Sequence, residues 1–439
     1  MADVRAVAES GWSWVLDQVD HDHDGPWLPA SVSRTGVMSA VDPVERDGVY
    51  SGLGGLALAL REVQFTRQWT EREEALARDI VERLAHRAAA RDEPSLYVGL
   101  AGDVTALRVL APGRESVALQ RLADVGGDSG WVSTEFPEPV VVNDLLLGTA
   151  GVVLAALWAD GPLSEQIATT GADALLAAAD PTPTGLDWPV EAGYPTRMPN
   201  FSHGTAGVAS ALALAGARFA RADFLDAARR GAEHLLAIGD HSDGGLRVPH
   251  YVPPGGDEEP FTYSWCHGPT GTSYLFLALA AAGMAEVGGR SPEQWYARCL
   301  QAVRTSGVPQ RLRPGFWDND GRCCGTAGVG DVFLDHAQRA AGSASGEGSL
   351  GFADVLGSAV LERATTDSDG TRWHFLEHRN DSPELDAGTG WMQGAAGIAA
   401  FLFRLARVKE SGPAAPVVDR PDSWWAVPEP TRAARTPRH

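Results

Sequence analysis

The chain has 439 residues, a length that at ~150 residues per domain allows about three domains. Hydrophobic residues make up 44%, enough for a sizeable core, which excludes intrinsic disorder over most of the chain. Basic and acidic residues number 36 and 57, a net charge of −21; such a chain repels phosphate backbones, so nucleic acid is not an expected partner. Four cysteines are too few for a disulfide scaffold at this length. Glycine is the outlier, at 50 residues, about 11% against a usual ~7%, and without a collagen period.

In chain order, Met1 to Arg5 lead into no apolar signal region, and the longest apolar stretch, around Tyr274 to Ala285, is too short to span a bilayer. A cytoplasmic protein with reduced thiols and no transmembrane segment is expected. Lys409 is the only lysine. That arginine bias, with abundant Ala and Gly, points to a GC-rich bacterial genome. Asp20-His21-Asp22-His23-Asp24 lacks the ligand spacing of a calcium loop and reads as a solvated loop. Asp318-Asn319-Asp320-Gly321 and Asp367-Ser368-Asp369-Gly370 read as turns.

A G-x-x-G element then recurs seven times, with first glycines at 52, 99, 148, 204, 268, 325 and 394. Each opens an apolar run, such as 56–63, 152–159 and 208–220, that reads as a helix buried on all sides. Charged amphipathic segments lie between, such as Thr70 to Arg91 and Ala222 to Ile238, and read as outer helices with one wet face. Glycine at the start of each inner helix permits close backbone approach or unusual dihedrals. Each repeat is therefore one helical hairpin, and stacked hairpins share a core. The interval drifts and the inner helices are uniformly apolar. Both favour an all-α, closed α/α toroid of seven inner and seven outer helices over an open solenoid. It fills residues 1–410 as a single domain. Residues 411–439 form a Pro/Arg-rich, mostly irregular tail whose Trp424-Trp425 pair can dock on the body.

In such a ring the residues just before each G-x-x-G converge on one mouth. Repeats one and two place Tyr50-Ser51 and Tyr97-Val98 there. Repeat three places Asp144 four residues before Gly148. Repeats four to seven place Ser202-His203, Trp265-Cys266-His267, Cys323-Cys324 and Trp391-Met392-Gln393. Three of the four cysteines thus share one slot, and thiolates select zinc over harder ions. Cys266, Cys323 and Cys324 are the candidate metal ligands. Buried inert cysteines are the plainer alternative, and His267 as a fourth ligand would close the site and make it structural. Cys299 reads as a core cysteine. Asp144 reads either as a helix-start cap or as a partner to an imidazole; His203 reads as acid/base or as a satisfied core histidine.

With Trp265-Cys266-His267-Gly268, Cys323-Cys324-Gly325 and Ser202-His203-Gly204 added to the seven repeats, the chain resembles the lanthionine synthetase C-like family of lanthipeptide cyclases over about residues 45–405. The resemblance implies the same α/α toroid and one zinc ion per chain. It also implies addition of peptide cysteine thiols to dehydroalanine or dehydrobutyrine, closing thioether rings. Cys266 and Cys323 fall on the family's first two zinc cysteines. Cys324 stands where a histidine is common, which looks like a three-cysteine variant. His203 falls on the acid/base histidine, Asp144 on the acid of an Asp-x-x-x-Gly element, and Trp265 on the tryptophan before the first zinc cysteine. Trp265 and His267 are the substrate-pocket candidates. A dehydrated precursor peptide is the implied partner. The seven repeats leave no room for a dehydrating domain, so a separate dehydrating enzyme is expected. Two rivals stay open: another toroidal enzyme acting on thiols, and a non-catalytic zinc–thiolate protein that binds a peptide or glutathione. A toroidal glycoside hydrolase would need two carboxylates at the mouth, and only Asp144 qualifies.

Overall fold

A computed structural model describes residues 3–42, 45–254, 260–310, 319–376 and 383–432. Its helices are α1 (Val4–Asp17), α2 (Leu53–Thr66), α3 (Glu71–Ala88), α4 (Leu100–Leu110), α5 (Ser116–Val125), α6 (Thr149–Ala159) and α7 (Pro162–Ala177). They continue with α8 (Thr205–Phe219), α9 (Ala222–Ile238), α10 (Pro269–Ala281), α11 (Pro292–Arg304), α12 (Thr326–Arg339), α13 (Ala344–Arg363) and α14 (Ala395–Ser411). The even-numbered helices are the apolar runs after each G-x-x-G. They pack in sequence, α2 on α4 and onward to α14, and α14 returns to α2. The toroid expected from the repeats is therefore closed, with seven inner and seven outer helices.

The outer layer pairs α3 with α2, α5 with α4, and so on to α13 with α12. The seventh outer helix is α1, which packs on α14, so the beginning of the chain completes the last hairpin. Local chemistry sets the boundaries. Thr70 and Glu73 form a capping box at the start of α3, and Ser291 and Gln294 form another ahead of Pro292 in α11; these satisfy amide groups that a helix start leaves orphaned. Between repeats run short antiparallel hairpins, such as Asp20–Asp22 with Gly25–Trp27 and Thr365–Asp367 with Gly370–Arg372. The stretch expected as a loop is thus half strand, with Asp20–Asp22 paired and His23-Asp24 forming the turn, and all five residues are exposed. Asp367 caps the second by accepting from the Asp369 amide at 3.0 Å. Asp320, in contrast, is no solvated turn residue: it is buried and accepts from Arg363 Nε at 2.9 Å. Asp318 lies outside the described residues.

Backbone hydrogen bonds close the mouth as well. The residue two before each first glycine donates its amide to the carbonyl of the equivalent residue in the next repeat. The circle runs Tyr50 to Tyr97 (2.8 Å), Tyr97 to Leu146 (3.3 Å), Leu146 to Ser202 (3.1 Å), Ser202 to Cys266 (3.1 Å), Cys266 to Cys323 (3.3 Å), Cys323 to Met392 (2.9 Å) and Met392 back to Tyr50 (3.0 Å). The glycines serve close approach, not unusual dihedrals. Gly52 and Gly99 have φ of −107° and −120°, open to any residue. A Cβ on the second glycine of a repeat would instead overlap a carbonyl of the turn before it, as on Gly271 against Trp265 or Gly397 against Trp391.

The inner layer is less uniformly apolar than its repeats imply. Arg404 of α14 is buried and donates to Asp335 at 2.6 Å and to Gln338 at 2.7 Å, both on α12. Tyr274 of α10 donates to the same Asp335 at 2.5 Å. After α14 the chain is irregular apart from two 3-10 turns, Trp424–Ala426 and Glu429–Thr431, yet it packs into the body. Trp425 Nε1 donates to the Tyr274 carbonyl at 3.0 Å, Tyr97 Oη donates to Asp422 at 3.0 Å, and Gln338 donates to the Ala415 carbonyl at 2.8 Å. No helix among the described residues is long and apolar enough to cross a membrane.

The glycine geometry separates two substitutions by sign. Gly271→Ala should destabilise by roughly 2 kcal/mol or more, because the new methyl meets rigid backbone. Gly351→Ala, mid-helix in α13 with nothing near its Cβ position, should stabilise by about 0.5–1 kcal/mol. Thermal or denaturant unfolding reads both, and equal effects would show that the overlap is not what selects glycine.

Candidate metal centre

Each inner helix is entered through a short turn whose last residues are held by the backbone circle. Because the turns share one register, residues far apart in sequence arrive side by side. Cys266, Cys323 and Cys324 are all buried and unoxidised. Cys324 Sγ lies 3.4 Å from both Cys266 Sγ and Cys323 Sγ, and the three sulfurs lie within 4.8 Å of one another. Thiolates on one zinc ion, at ~2.3 Å each, sit about 3.8 Å apart in a tetrahedron, so the spacing and the donor type both fit. Cys299 is buried on α11, away from this cluster.

The three thiols do not share protons equally. Hydrogen bonding from Cys266 and from Cys324 holds the Cys323 thiol well below its usual range, against the opposing effect of burial. Burial pushes the Cys266 thiol up. Hydrogen bonding with Cys266 and Cys323, then burial, raises Cys324. One thiolate, on Cys323, is thus already favoured. A bound cation draws off the remaining protons, since a coordinating thiol is deprotonated.

Beside the sulfurs stands the second constellation. Asp144 is buried, and both its oxygens are used. Oδ1 accepts from the Leu147 amide at 2.7 Å, and Oδ2 faces His203 Nδ1 at 2.7 Å. Of the two alternatives the imidazole partner is the one present: the helix that follows is N-capped at Gly148 without a side-chain cap, and the Asp144 bond to Leu147 lies within the turn before it. The His203 side chain is 22% exposed. Burial works against its charge, but the Asp144 carboxylate outweighs burial and raises its pKa, with a smaller contribution from Cys323. With Nδ1–H committed to Asp144, Nε2 is the nitrogen left for other partners.

His267 is not part of the sulfur cluster. Its ring stacks on His203 with centroids 5.4 Å apart and lies 4.1 Å from the ring of His250. Burial, then the neighbouring His250 and His203, holds its pKa well below the usual imidazole range. Trp265 turns inward and is buried edge-on between Tyr97 and Phe201 at 5.5 and 5.6 Å. It shares a small cavity with Arg322, Trp391, Arg420 and Asp422, so it braces the turn that carries Cys266. Sequence reasoning passed over three neighbours of the sulfurs. Ser264 Oγ is 3.2 Å from Cys266 Sγ, Gln393 Nε2 is 3.8 Å from Cys324 Sγ, and Tyr50 neighbours Cys323. Tyr50 and Gln393 occupy the same slots as the cysteines, and that register was the available signal. His250 comes from the long connection between α9 and α10, where no repeat points to it.

Residues 43–416 match the family model described as "Lanthionine synthetase C-like protein". No curated protein matches the chain. Among solved structures it is similar to one named nisin cyclase, at 15% identity over 84% of this chain and 90% of that one, with a TM-score of 0.58. An unsaturated glucuronyl hydrolase from Bacillus sp. GL1 is similar at 13% identity over 93% of this chain and 97% of that one, with a TM-score of 0.45.

The Asp144–His203 pair yields a titration prediction. Asp144→Asn removes the group that raises the His203 pKa and keeps the burial that lowers it, so the imidazole should titrate at lower pH. NMR of the His203 ring checks this. An unchanged midpoint would show that the carboxylate is not the cause.

Proposed function

Because the chain belongs to the lanthionine synthetase C-like family, we propose that it is a zinc-dependent lanthipeptide cyclase, joining peptide cysteines to dehydroalanine or dehydrobutyrine as (methyl)lanthionine. The observation that carries this reading is the convergence of three buried sulfurs beside a carboxylate-oriented imidazole, drawn from four separate turns of the ring. Cys266, Cys323 and Cys324 would hold one zinc ion, and the chemistry it would supply is to lower the pKa of a substrate thiol from its free value of ~8.5 so that it is nucleophilic at neutral pH.

In the addition, the substrate sulfur forms a bond to the β-carbon of the dehydro residue. The π electrons move toward the α-carbon and its carbonyl. The thiol proton is lost, and the α-carbon must gain one. Product and reactant therefore have the same mass. His203 supplies the α-proton as imidazolium. Asp144 accepts Nδ1–H throughout, fixing the ring and stabilising its positive charge, so it acts as a positioning residue. His267, stacked on His203 and largely uncharged, walls the pocket without competing for the proton. Trp265 supports the Cys266 turn from below. The peptide arrives already dehydrated by a separate enzyme, and the reaction belongs to a reducing, cytoplasmic setting where the four thiols persist.

Incubating the chain with a dehydrated, cysteine-containing peptide should abolish alkylation of the peptide thiol while leaving the unalkylated peptide's mass unchanged. His203→Ala should keep its zinc, measured by elemental analysis, and slow ring closure by roughly 10²–10⁴-fold. Cys324→Ala should lose zinc. Full activity in His203→Ala would remove that residue from the mechanism, and a zinc-free wild-type protein purified without chelator would overturn the reading.

A further inference from the structure

The chain beyond α14 does more than pack on the body. Residues 417–423 are all buried, although several of them are polar or charged. The segment is a loop closed at its base, where the Val417 amide donates to the Thr431 carbonyl at 3.0 Å. It sets out from the end of the ring opposite the mouth. Gln338, in the last turn of α12, donates to the Ala415 carbonyl at 2.8 Å, and Arg407, late in α14, donates to the Pro416 carbonyl at 2.9 Å. From there the loop climbs between the inner helices. At its tip Arg420 Nε donates to Asp422 Oδ1 at 3.1 Å. Leu58 of α2, Thr105 of α4, Tyr274 of α10 and Val332 of α12 line the cavities around this pair, so the tip stands on the axis of the ring. Those cavities measure about 20 and 10 Å³, room for no more than about one water molecule each.

Two chains of contact lead from this tip to the sulfurs. In the first, Tyr97 Oη donates to Asp422 Oδ2 at 3.0 Å, the Tyr97 ring meets Trp265 edge-on at 5.5 Å, and Trp265 precedes Cys266. In the second, the Arg420 guanidinium lies 5.8 Å from the centre of the Trp391 ring, the Arg322 guanidinium lies 4.1 Å from the same ring, and Arg322 precedes Cys323. We propose that the loop from Val417 to Thr431 is a plug inserted along the axis of the ring, and that Arg420 and Asp422 are positioning residues that hold the Cys266 and Cys323 turns from beneath. This rests on the reading that those cysteines are metal ligands. The backbone circle fixes the turns against one another at the mouth, but a ring of seven helices leaves its axis to be filled, and the aromatic side chains under the sulfurs need a floor. Ligand atoms must be held to within about 0.5 Å by the groups behind them, and those outer groups share in setting metal affinity.

The test uses the full chain and reads the thiols separately. In the metal-free protein, iodoacetamide alkylation followed by mass spectrometry gives one rate for Cys266, one for Cys323 with Cys324, and one for Cys299, which is buried on α11 and reports overall unfolding. Tyr97→Phe and Asp422→Asn keep the shape of the buried side chain while altering the contact between tip and turn. Both should speed alkylation of Cys266 several-fold relative to Cys299, and Arg420→Gln should do the same for Cys323 with Cys324. In chelator competition each variant should bind Zn²⁺ roughly tenfold more weakly, the low end of what losing an outer partner of a metal ligand costs. Trp425→Phe removes the bond to the Tyr274 carbonyl elsewhere in the loop; it should lower thermal stability and leave the alkylation ratios and the zinc affinity alone. Wild-type ratios in Tyr97→Phe and Asp422→Asn would overturn the proposal, as would a rise of all four thiols together. An equal shift in Trp425→Phe would also overturn it, by assigning the effect to general loosening of the loop. Because the alkylation ratios need no metal, a wild-type chain that bound no zinc would overturn the metal reading and leave those ratios to decide the role of the plug.

Discussion

The circle of seven backbone hydrogen bonds at the mouth is the constraint on which the rest depends. Each bond joins the same position of successive repeats, and the seventh returns to the first. A turn held this way cannot rotate or slip without breaking two bonds in a buried setting, where an unpaired amide or carbonyl costs about 1–3 kcal/mol. Side chains at adjacent positions of different repeats therefore inherit fixed mutual distances. The 3.4 Å separations among the sulfurs follow from that register, with Cys266 and Cys323 bonded to each other through the backbone circle itself. The glycines belong to the same constraint. They let each turn fold back onto the first residues of its own helix, which any side chain there would prevent.

The fold was legible because its signal is repeated. One G-x-x-G is an accident of composition, but seven, each opening an apolar run, specify stacked hairpins. The positions before those glycines were informative for the same reason, and Asp144, His203, Cys266, Cys323 and Cys324 were all found there. What escaped was whatever is not periodic. Arg404 and Asp335 sit within stretches whose average is apolar, so their pairing across α12 and α14 is hidden by the pattern around them. The chain after α14 looks polar and Pro-rich, yet Val418, Arg420 and Asp422 are buried. They are held by partners such as Tyr97 and Trp391 that lie far away in sequence. His250 is brought to His267 by a connection whose course no local rule sets.

Two charge environments meet at the mouth, and their contrast is chemically useful. On one side three sulfurs meet, with the Cys323 thiol held well below its usual range by hydrogen bonding from the other two. On the other, Asp144 keeps His203 inclined to hold a proton although burial opposes it. His267, next to His203, is driven the opposite way by burial and then by the neighbouring His250 and His203. Two stacked imidazoles in one site thus carry different protonation preferences, which is how a site keeps one proton donor distinct from its surroundings.

The closure of the ring also explains how the chain's ends relate to the chemistry. In an open array the terminal repeats would each expose one face, and the slots at the two ends would stay far apart. Here α1 covers α14, and α14 packs on α2, so repeats seven and one become neighbours. Gln393 and Tyr50, separated by 343 positions, then meet at 2.7 Å and stand beside sulfurs supplied by repeats five and six. A sulfur cluster could be built from two adjacent repeats alone. Setting the Gln393–Tyr50 pair beside it requires the first and last repeats to come together, which only the closed form allows. The buried pairing of Arg404 with Asp335 lies on the other side of the last repeat, between α14 and α12. Leaving either charge alone there would cost about 3–5 kcal/mol, so the interaction that is least visible in the sequence helps register the repeat that carries Gln393 against the one that carries Cys323 and Cys324.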